Sequence, residues 1–266
     1  MSQLTIYKAL WGMQGSLEEQ FAAIAAAGCY QGIEAGLPRK EEASQFRELL
    51  DRYGFQYIAM VFTGEDDHAA SFEKQATAAA EFNPVLINSH SAKDSMPYDQ
   101  QQPFFEHALR VERAIGIPVA HETHRGRAMF TPWTTAALLR DFPELKITAD
   151  FSHWCCVCES LLADQLDNLK LAFERAYHIH ARVGYAEGPQ VPHPAAPEYA
   201  EELSAHEAWW QEIFKARAAA GQTEFTLTPE FGPPGYLHTL PFTNQPVANL
   251  WDVCLWMAKR AQSYLK

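Results

Sequence analysis

Segments typical of strands and of helices alternate eight times along this chain, and this repeat restricts the fold more than any other feature of the sequence. Each repeat occupies about 30 residues, which is enough for a strand, a crossover helix and their loops. Alternation of this kind predicts a parallel sheet with right-handed connections. Eight repeats in 266 residues are sufficient to close such a sheet into a barrel.

The predicted strands are short hydrophobic runs bounded by glycine, proline or polar residues. They span residues 4–10, 32–35, 56–62, 84–88, 118–121, 147–149, 177–183 and 224–228. The predicted helices are amphipathic or rich in alanine, and several end at a glycine. They span residues 16–27, 41–53, 71–82, 103–115, 132–140, 161–176, 201–220 and 247–265. We therefore predict an α/β fold, a single (β/α)8 TIM barrel over residues 1–266, with a long loop at about 184–199.

Composition and charge limit the kinds of partner that the protein is expected to bind and its expected location. The formal net charge of −12 disfavours nucleic acid and anionic membranes as partners, because the field of the protein repels polyanions. No apolar run approaches the roughly 20 residues that span a bilayer, and five cysteines without a secretory leader favour a cytoplasmic location. A doubly wound open sheet is the alternative fold, but neither a G-x-G-x-x-G nor a G-x-x-x-x-G-K motif is present.

Four residues with metal-binding side chains are carried by the ends of the last four predicted strands. They are Glu122, Asp150, His180 and Glu230. The carboxyl ends of barrel strands meet at one face, where chemistry takes place, so these side chains are expected to converge. Three carboxylates and an imidazole suit a divalent ion such as Mn, Mg, Co or Zn. The alternative for each acid alone is a helix cap or a solvated loop position.

Other residues near the strand ends are candidates for contacts with a substrate. They are His153, His90, Trp11, Glu34, Arg125 and Arg182. His153 and His90 are alternatively further metal ligands, Arg125 a surface charge, and Trp11 a core residue rather than a wall that stacks on a sugar. Because His178 and His180 share one face of their strand, we expect His178 to be a hydrogen-bonded core residue one layer deeper.

Three cysteines close together also invite a zinc-binding interpretation. Cys155 and Cys156 are adjacent and point apart, however, and no second C-x-x-C motif completes a set of four ligands. We expect them to be buried residues at the start of a helix.

The four strand-end residues, the D-x-x-H of Asp150–His153 and the H-x-H of His178–His180 resemble the xylose isomerase-like TIM-barrel superfamily. This superfamily includes sugar phosphate isomerases and epimerases, inosose dehydratases and endonucleases of the endonuclease IV type. In its ketose epimerases the residues matching Glu122, Asp150, His180 and Glu230 hold one divalent metal. There the two glutamates also move the proton, and the residue matching His153 contacts the substrate.

The resemblance is incomplete in ways that concern the substrate. The ketose epimerases carry a further glutamate and an arginine at positions that are Ala128 and Ala186 here, so their substrate specificity does not transfer. The endonucleases bind three zinc ions, for which His90, His153 and His193 would be partial substitutes, but the negative net charge disfavours DNA.

The resemblance and the residues together imply an isomerase or epimerase that uses one divalent metal ion. The expected substrate is a small sugar, polyol or keto-sugar, with or without a phosphate, and the expected catalytic pair is Glu122 and Glu230, which would move a proton through a metal-stabilised enediolate. A metal-dependent dehydratase of the inosose dehydratase kind is the first alternative, and an endonuclease IV-like phosphodiester hydrolase is the second. Aromatic residues on the last helices are compatible with a homodimer.

Overall fold

Eight parallel strands close into a barrel in the computed structural model, which describes residues 2–64 and 66–265. The strands pair in chain order, and β1 pairs with β8 to complete the cylinder. They are β1 (Gln3–Ala9), β2 (Gly32–Gly36), β3 (Gln56–Phe62), β4 (Leu86–His90), β5 (Val119–Glu122), β6 (Lys146–Ala149), β7 (Ala176–His180) and β8 (Glu224–Thr228). The predicted (β/α)8 TIM-barrel fold is confirmed.

Helices surround the barrel, and most of them begin and end within a few residues of the predicted bounds. They are α1 (Leu17–Ala27), α2 (Ala43–Tyr53), α3 (His68–Ala80), α4 (Tyr98–Ile115), α5 (Pro132–Asp141), α6 (Phe151–Cys158), α7 (Leu166–Arg175), α8 (Ala200–Ala219) and α9 (Leu250–Ala261). At α1, the Ser16 hydroxyl accepts from the Glu19 backbone N–H at 3.3 Å, and the Glu19 carboxylate accepts from the Ser16 N–H at 2.8 Å. Among the described residues, no helix is both long enough and apolar enough to cross a bilayer.

The connection between β6 and β7 differs from the prediction. A single helix over residues 161–176 was expected, whereas the chain forms α6 directly after β6, then a 3-10 turn (Ala163–Gln165) and α7. Helix α6 begins this early because the carboxylate of Asp150 accepts a hydrogen bond from the Ser152 backbone N–H at 3.2 Å and caps the helix. Helix α4 is also longer than expected, since it begins at Tyr98 and continues through Pro103.

Hydrophobic side chains fill two separate regions. The larger lies between the outer face of the strands and the helices, and includes buried aromatic residues such as Phe21, Phe105 and Trp154. The smaller closes the lower part of the barrel interior and consists of Tyr7, Ile58, Leu86 and Ala120. These four residues form the apolar floor on which the polar upper layer of the barrel rests.

The interior becomes polar one layer above this floor, but only on some strands. Side chains alternate across a strand, so the next inward position lies two residues further on. On β4 this position is Asn88, which follows Leu86, and on β5 it is Glu122, which follows Ala120. On β3 it is Met60, which follows Ile58. Therefore one side of the barrel mouth is polar and the other stays apolar.

Gly32 at the start of β2 provides a test of the packing of the barrel floor. A Cβ atom at this position would lie 2.5 Å from both the Gln56 carbonyl oxygen and the Tyr7 ring. We expect Gly32→Ala to lower the free energy of unfolding by about 1–3 kcal/mol, because this closely packed region has no room for a methyl group. Thermal unfolding followed by circular dichroism would measure the loss.

Gly64→Ala is the matched control, since no described atom lies within 4 Å of the added Cβ. Its melting temperature should equal or slightly exceed that of the wild type. Equal melting temperatures for both variants would contradict the packing described for Gly32.

Candidate metal centre

The structure brings together the four residues that the sequence places after the last four strands. Glu122 ends β5, Asp150 follows β6, His180 ends β7 and Glu230 lies two residues after β8. All four are buried, and one ligand atom from each lies within 4.8 Å of the other three. The carboxyl ends of β5–β8 therefore form one cluster of potential metal ligands, contributed by four different strands or strand ends.

The imidazole of His180 is held with one nitrogen towards this cluster. Its Nε2 lies 2.9 Å from Oε1 of Glu34, a fully buried carboxylate on β2. Its Nδ1 lies 3.1 Å from Glu230 Oε2 and 3.6 Å from Glu122 Oε1, and it has no hydrogen-bond partner among the described residues. A carboxylate behind a histidine ring fixes its orientation and tautomer, so Glu34 directs Nδ1 at the cluster.

Glu122 likewise has one constrained oxygen and one that lacks a partner. Its Oε2 accepts a hydrogen bond from the Asn88 amide at 2.9 Å and lies 2.7 Å from His90 Nε2. Its Oε1 is buried and has no hydrogen-bond partner among the described residues. Because this oxygen and His180 Nδ1 face each other, a divalent cation that accepts oxygen and nitrogen donors fits the space that they border.

Arg182 provides a cation that the sequence interpretation did not anticipate at this position. Its guanidinium pairs with the Asp150 carboxylate and lies 3.5 Å from Glu230 Oε2. It also donates to Ser152 Oγ at 3.2 Å and to His153 Nε2 at 2.7 Å. The sequence signal for this contact was the alternation of His178, His180 and Arg182, which places all three on one face of an extended segment.

Burial and neighbouring charges move the pKa values of these groups in opposite directions. Burial raises the pKa of Asp150 to about 6, although the charge of Arg182 lowers it. Burial alone would raise the pKa of Glu122, but His90 and His180 outweigh it and hold this pKa well below its usual value. Burial would lower the pKa of His180, but Glu230, Glu34 and Glu122 raise it well above its usual value. Glu122 is therefore ionised at neutral pH, beside an imidazole that holds a proton when no metal competes for it.

Three imidazoles lie along the polar side of the mouth. The ring centroid of His124 lies 4.6 Å from that of His90 and 3.9 Å from that of His153. His153 is completely buried, and its Nδ1 has no partner among the described residues. It contacts Arg182 and His124 and does not line the main cavity, so the predicted direct contact of His153 with a substrate stays a prediction.

A cavity of about 430 Å³ lies above the cluster. Four of the predicted contact residues line it: Trp11, Glu34, His90 and Arg182. Its apolar side consists of Leu10, just after β1, and of Met60 and Phe62 on β3. Glu230 faces the cavity from the segment after β8. Glu230 is the only carboxylate of the four-residue cluster that lines this cavity.

Tyr236 is a functional candidate that the sequence analysis missed. Its ring lies 5.1 Å from that of Trp11 and 4.8 Å below the guanidinium carbon of Arg182. Arg125 stacks on the same ring at 5.1 Å rather than lining the cavity. No sequence pattern marks Tyr236, because it lies in an irregular segment after β8 and reaches the site only through folding.

Two further groups have ligand-type side chains close together, but both share members with the main cluster. They are Glu34, His178 and His180, and Glu122, His124 and His153. His178 is the hydrogen-bonded interior residue that the sequence predicted, since its ring nitrogens lie 2.8 Å from Thr226 Oγ1 and 3.1 Å from Thr228 Oγ1. Among the described residues, no group of this kind includes a cysteine. In α6, Cys155 is buried as expected, whereas Cys156 and Cys158 are partly exposed, contrary to the prediction.

Comparison with known proteins identifies related sequences and folds. Residues 21–220 match the sequence profile of the family described as xylose isomerase-like TIM barrel. No curated protein sequence matches the chain.

Several solved structures share the fold at low sequence identity. A probable 3-DHS dehydratase, AsbF, from Bacillus anthracis is 16% identical with a TM-score of 0.62, over 97% of this chain and 99% of that one. A sugar phosphate isomerase/epimerase from Parabacteroides distasonis is 11% identical with a TM-score of 0.63, over 100% and 96%. A xylose isomerase-like TIM barrel protein from Mycobacterium smegmatis, in complex with magnesium, is 11% identical with a TM-score of 0.63, over 98% and 96%.

The two roles of Asp150, helix cap and member of the cluster, can be separated by substitution. Asn retains an oxygen that accepts from the Ser152 N–H, whereas Ala does not, and both remove the ion pair with Arg182. We therefore expect metal-free Asp150→Ala to be about 1 kcal/mol less stable than Asp150→Asn. This corresponds to a melting temperature about 2–4 °C lower for a domain of this size. Equal melting temperatures would show that the cap contributes nothing to α6.

Proposed function

The chain belongs to the xylose isomerase-like TIM barrel family, and from this premise we propose that it is a divalent-metal-dependent isomerase or epimerase of a small sugar, polyol or keto-sugar. The observation that carries the proposal is the convergence of Glu122, Asp150, His180 and Glu230 within 4.8 Å, with two buried donor atoms facing each other without partners. One divalent ion, Mn, Mg, Co or Zn, held by these four residues would satisfy both atoms.

A bound divalent ion would supply polarisation of a substrate carbonyl and an adjacent hydroxyl, which acidifies the intervening C–H bond. The protein has to remove and return the proton. Glu230 is placed for this because its carboxylate faces the cavity, whereas Glu122 lies deeper and one of its oxygens is held by Asn88. We assign Glu230 as the group that first meets the substrate C–H and Glu122 as its counterpart across the ligand cluster.

The two sides of the cavity would orient a polyol in a defined way. Trp11, Met60 and Phe62 present an apolar surface on which the C–H face of a sugar can lie. Opposite them, His90, Arg182 and Glu230 offer hydrogen-bonding groups for hydroxyls and a carbonyl. Such a division fits a small polyhydroxylated molecule better than a long polymer, because the cavity of about 430 Å³ accommodates only one such unit.

Glu230→Gln tests the assignment of the proton-moving group. Gln keeps the size of the side chain but cannot accept a proton, so turnover of a ketose or aldose substrate should fall by about 10²-fold or more. Exchange of substrate hydrogen with solvent deuterium, measured by NMR, would follow the chemical step. Ultraviolet absorbance recorded in parallel would reveal an enone product if the reaction is instead a dehydration.

Glu224→Gln is the matched control, since Glu224 is an exposed glutamate at the opposite end of β8 from Glu230. Its activity should equal that of the wild type. If Glu230→Gln exchanges substrate hydrogen at the wild-type rate, Glu230 does not transfer the proton. Elemental analysis of both variants would show whether their metal content had changed as well.

Glu34→Gln tests the role of the buried carboxylate behind His180. Gln has no charge to favour the tautomer that presents Nδ1 to the cluster, so metal affinity measured by calorimetry should fall about 10- to 100-fold. The metal affinity of Glu230→Gln, measured in the same way, shows the effect of changing a proposed ligand, for comparison with the effect of changing Glu34, which orients a ligand. Unchanged affinity in Glu34→Gln would mean that His180 reaches its orientation without this contact.

A further inference from the structure

The backbone that follows β8 supports two parts of the proposed site. Glu230 lies two residues after the strand, and Gly232 follows it by two more. The indole of Trp11 packs directly on Gly232, because a Cβ atom there would lie 2.2, 2.4 and 2.9 Å from three carbons of the ring. The position of this short segment therefore determines where both the proposed proton-moving carboxylate and the aromatic wall of the cavity lie.

Few groups hold this segment in place. Strand β8 ends at Thr228, so residues 229–232 lie beyond the hydrogen bonds of the sheet. Among the described residues, only two side chains form hydrogen bonds with the backbone of residues 229–232, namely Gln190 and Cys254. The Cys254 thiol is a weak donor and lies 3.8 Å from the Phe231 carbonyl oxygen. The Gln190 amide is therefore the main polar restraint on the backbone that carries Glu230.

Gln190 uses both polar ends of its amide on one residue. It lies in the long loop after β7 and is 1% exposed. Its Oε1 accepts from the Gly232 backbone N–H at 2.7 Å, and its Nε2 donates to the Gly232 carbonyl oxygen at 3.2 Å. The neighbouring Val191 N–H donates to the Val183 carbonyl oxygen at 2.9 Å, which ties this part of the loop back to the end of β7. Gln190 thus joins the segment after β7 to the segment after β8.

We propose that Gln190 is a positioning residue that fixes residues 229–232 and, through them, Glu230 and Trp11; its bearing on the reaction rests on the proposed function. The side-chain partners of Glu230 are His180 Nδ1 at 3.1 Å and Arg182 at 3.5 Å. A bound cation would engage the same His180 nitrogen, whereas the Gln190 amide holds the main chain without using any ligand atom. A displacement of about 1 Å at a reacting group is enough to cost about 10²-fold in rate.

Gln190→Met tests the proposal, because methionine has a similar length and makes neither hydrogen bond. Affinity for Mn²⁺, measured by calorimetry, should fall about tenfold or more, since residues that hold ligands in place have effects of this size. Protein labelled with 5-fluorotryptophan should show a shifted fluorine-19 resonance for Trp11, because the ring packs on Gly232. Trp11→Phe identifies this resonance among those of the seven tryptophans.

Gln101→Met is the matched control. Gln101 is 3% exposed, and its amide donates to the Met96 carbonyl oxygen at 2.7 Å, so the substitution likewise removes a buried hydrogen bond. It lies in α4 and does not line the main cavity, and its Mn²⁺ affinity and Trp11 resonance should equal those of the wild type. Equal losses in the two variants would overturn the proposal. So would wild-type Mn²⁺ affinity, or an unchanged Trp11 resonance, in folded Gln190→Met.

A measurement on the wild type alone covers the case in which Gln190→Met fails to fold. After correction for intrinsic rates, the Gly232 N–H should exchange with deuterium at least about 100-fold more slowly than that of the exposed Gly235. This protection should be present before Mn²⁺ is added, because Gln190 holds the segment without the ion. Equal exchange rates for the two glycines would overturn the proposal.

Failure of the proposed function would have a different signature. A wild-type protein that binds no divalent ion would contradict the metal-dependent function, while the Trp11 resonance and the Gly232 exchange rate would still decide the role of Gln190. In that case, a shifted resonance in Gln190→Met together with slow exchange in the wild type supports the positioning of residues 229–232. An unshifted resonance or fast exchange overturns it.

Discussion

Burial of several carboxylates at one end of the barrel is the constraint on which the arrangement of the site depends. Glu34, Glu122, Asp150 and Glu230 are all at most 3% exposed, and each ionised carboxylate costs several kcal/mol to remove from water unless its charge is compensated. The protein compensates from different directions, with Arg182 on Asp150 and Glu230, and imidazoles on the other two. This network engages most of the carboxylate oxygens and leaves Glu122 Oε1 and His180 Nδ1 without hydrogen-bond partners among the described residues.

Within this network, glutamates in different positions have different partners. Glu34 and Glu230 differ by the partners that surround them rather than by their chemistry. Both border the cavity, but Glu34 lies between two histidines, whereas Glu230 lies beside the Arg182 guanidinium and His180 Nδ1. Because a general base must be within hydrogen-bonding reach of the proton that it removes, position in the barrel decides which acid takes part in the reaction.

Much of the fold could be predicted from the sequence, because strands and helices are indicated by local patterns. Strand β3 (Gln56–Phe62) and strand β8 (Glu224–Thr228) were predicted with correct ends, since the periodicity of buried strands and the residues that stop them are local signals. Helix α6 was not predicted as a separate element, although a helix cap was one of the two interpretations of Asp150. The structure shows that it caps α6 while it also joins the cluster.

The contacts around the cluster were harder to predict from the sequence, because they join strands that are far apart along the chain. The predicted convergence of four strand ends follows from the topology of any closed parallel barrel. By contrast, the pairing of Arg182 with Asp150, the position of Glu34 behind His180 and the edge-to-face contact of Tyr236 with Trp11 depend on side-chain conformations. Strand alternation could have indicated the direction of Arg182, but nothing local indicates Tyr236.

Each potential ligand of the cluster comes from a different strand or strand end. The cluster therefore forms only when these strands are assembled in the barrel, and no single segment contains it. The four ligands belong to the half of the chain with β5–β8, yet the ring of His180 is oriented by Glu34 from β2 in the other half. An intermediate with only the second half folded would contain every ligand but not the carboxylate that orients one of them. With the proposed metal centre, tight binding of the ion during refolding would therefore occur only after the two halves have joined. The appearance of metal binding would report when the barrel closes.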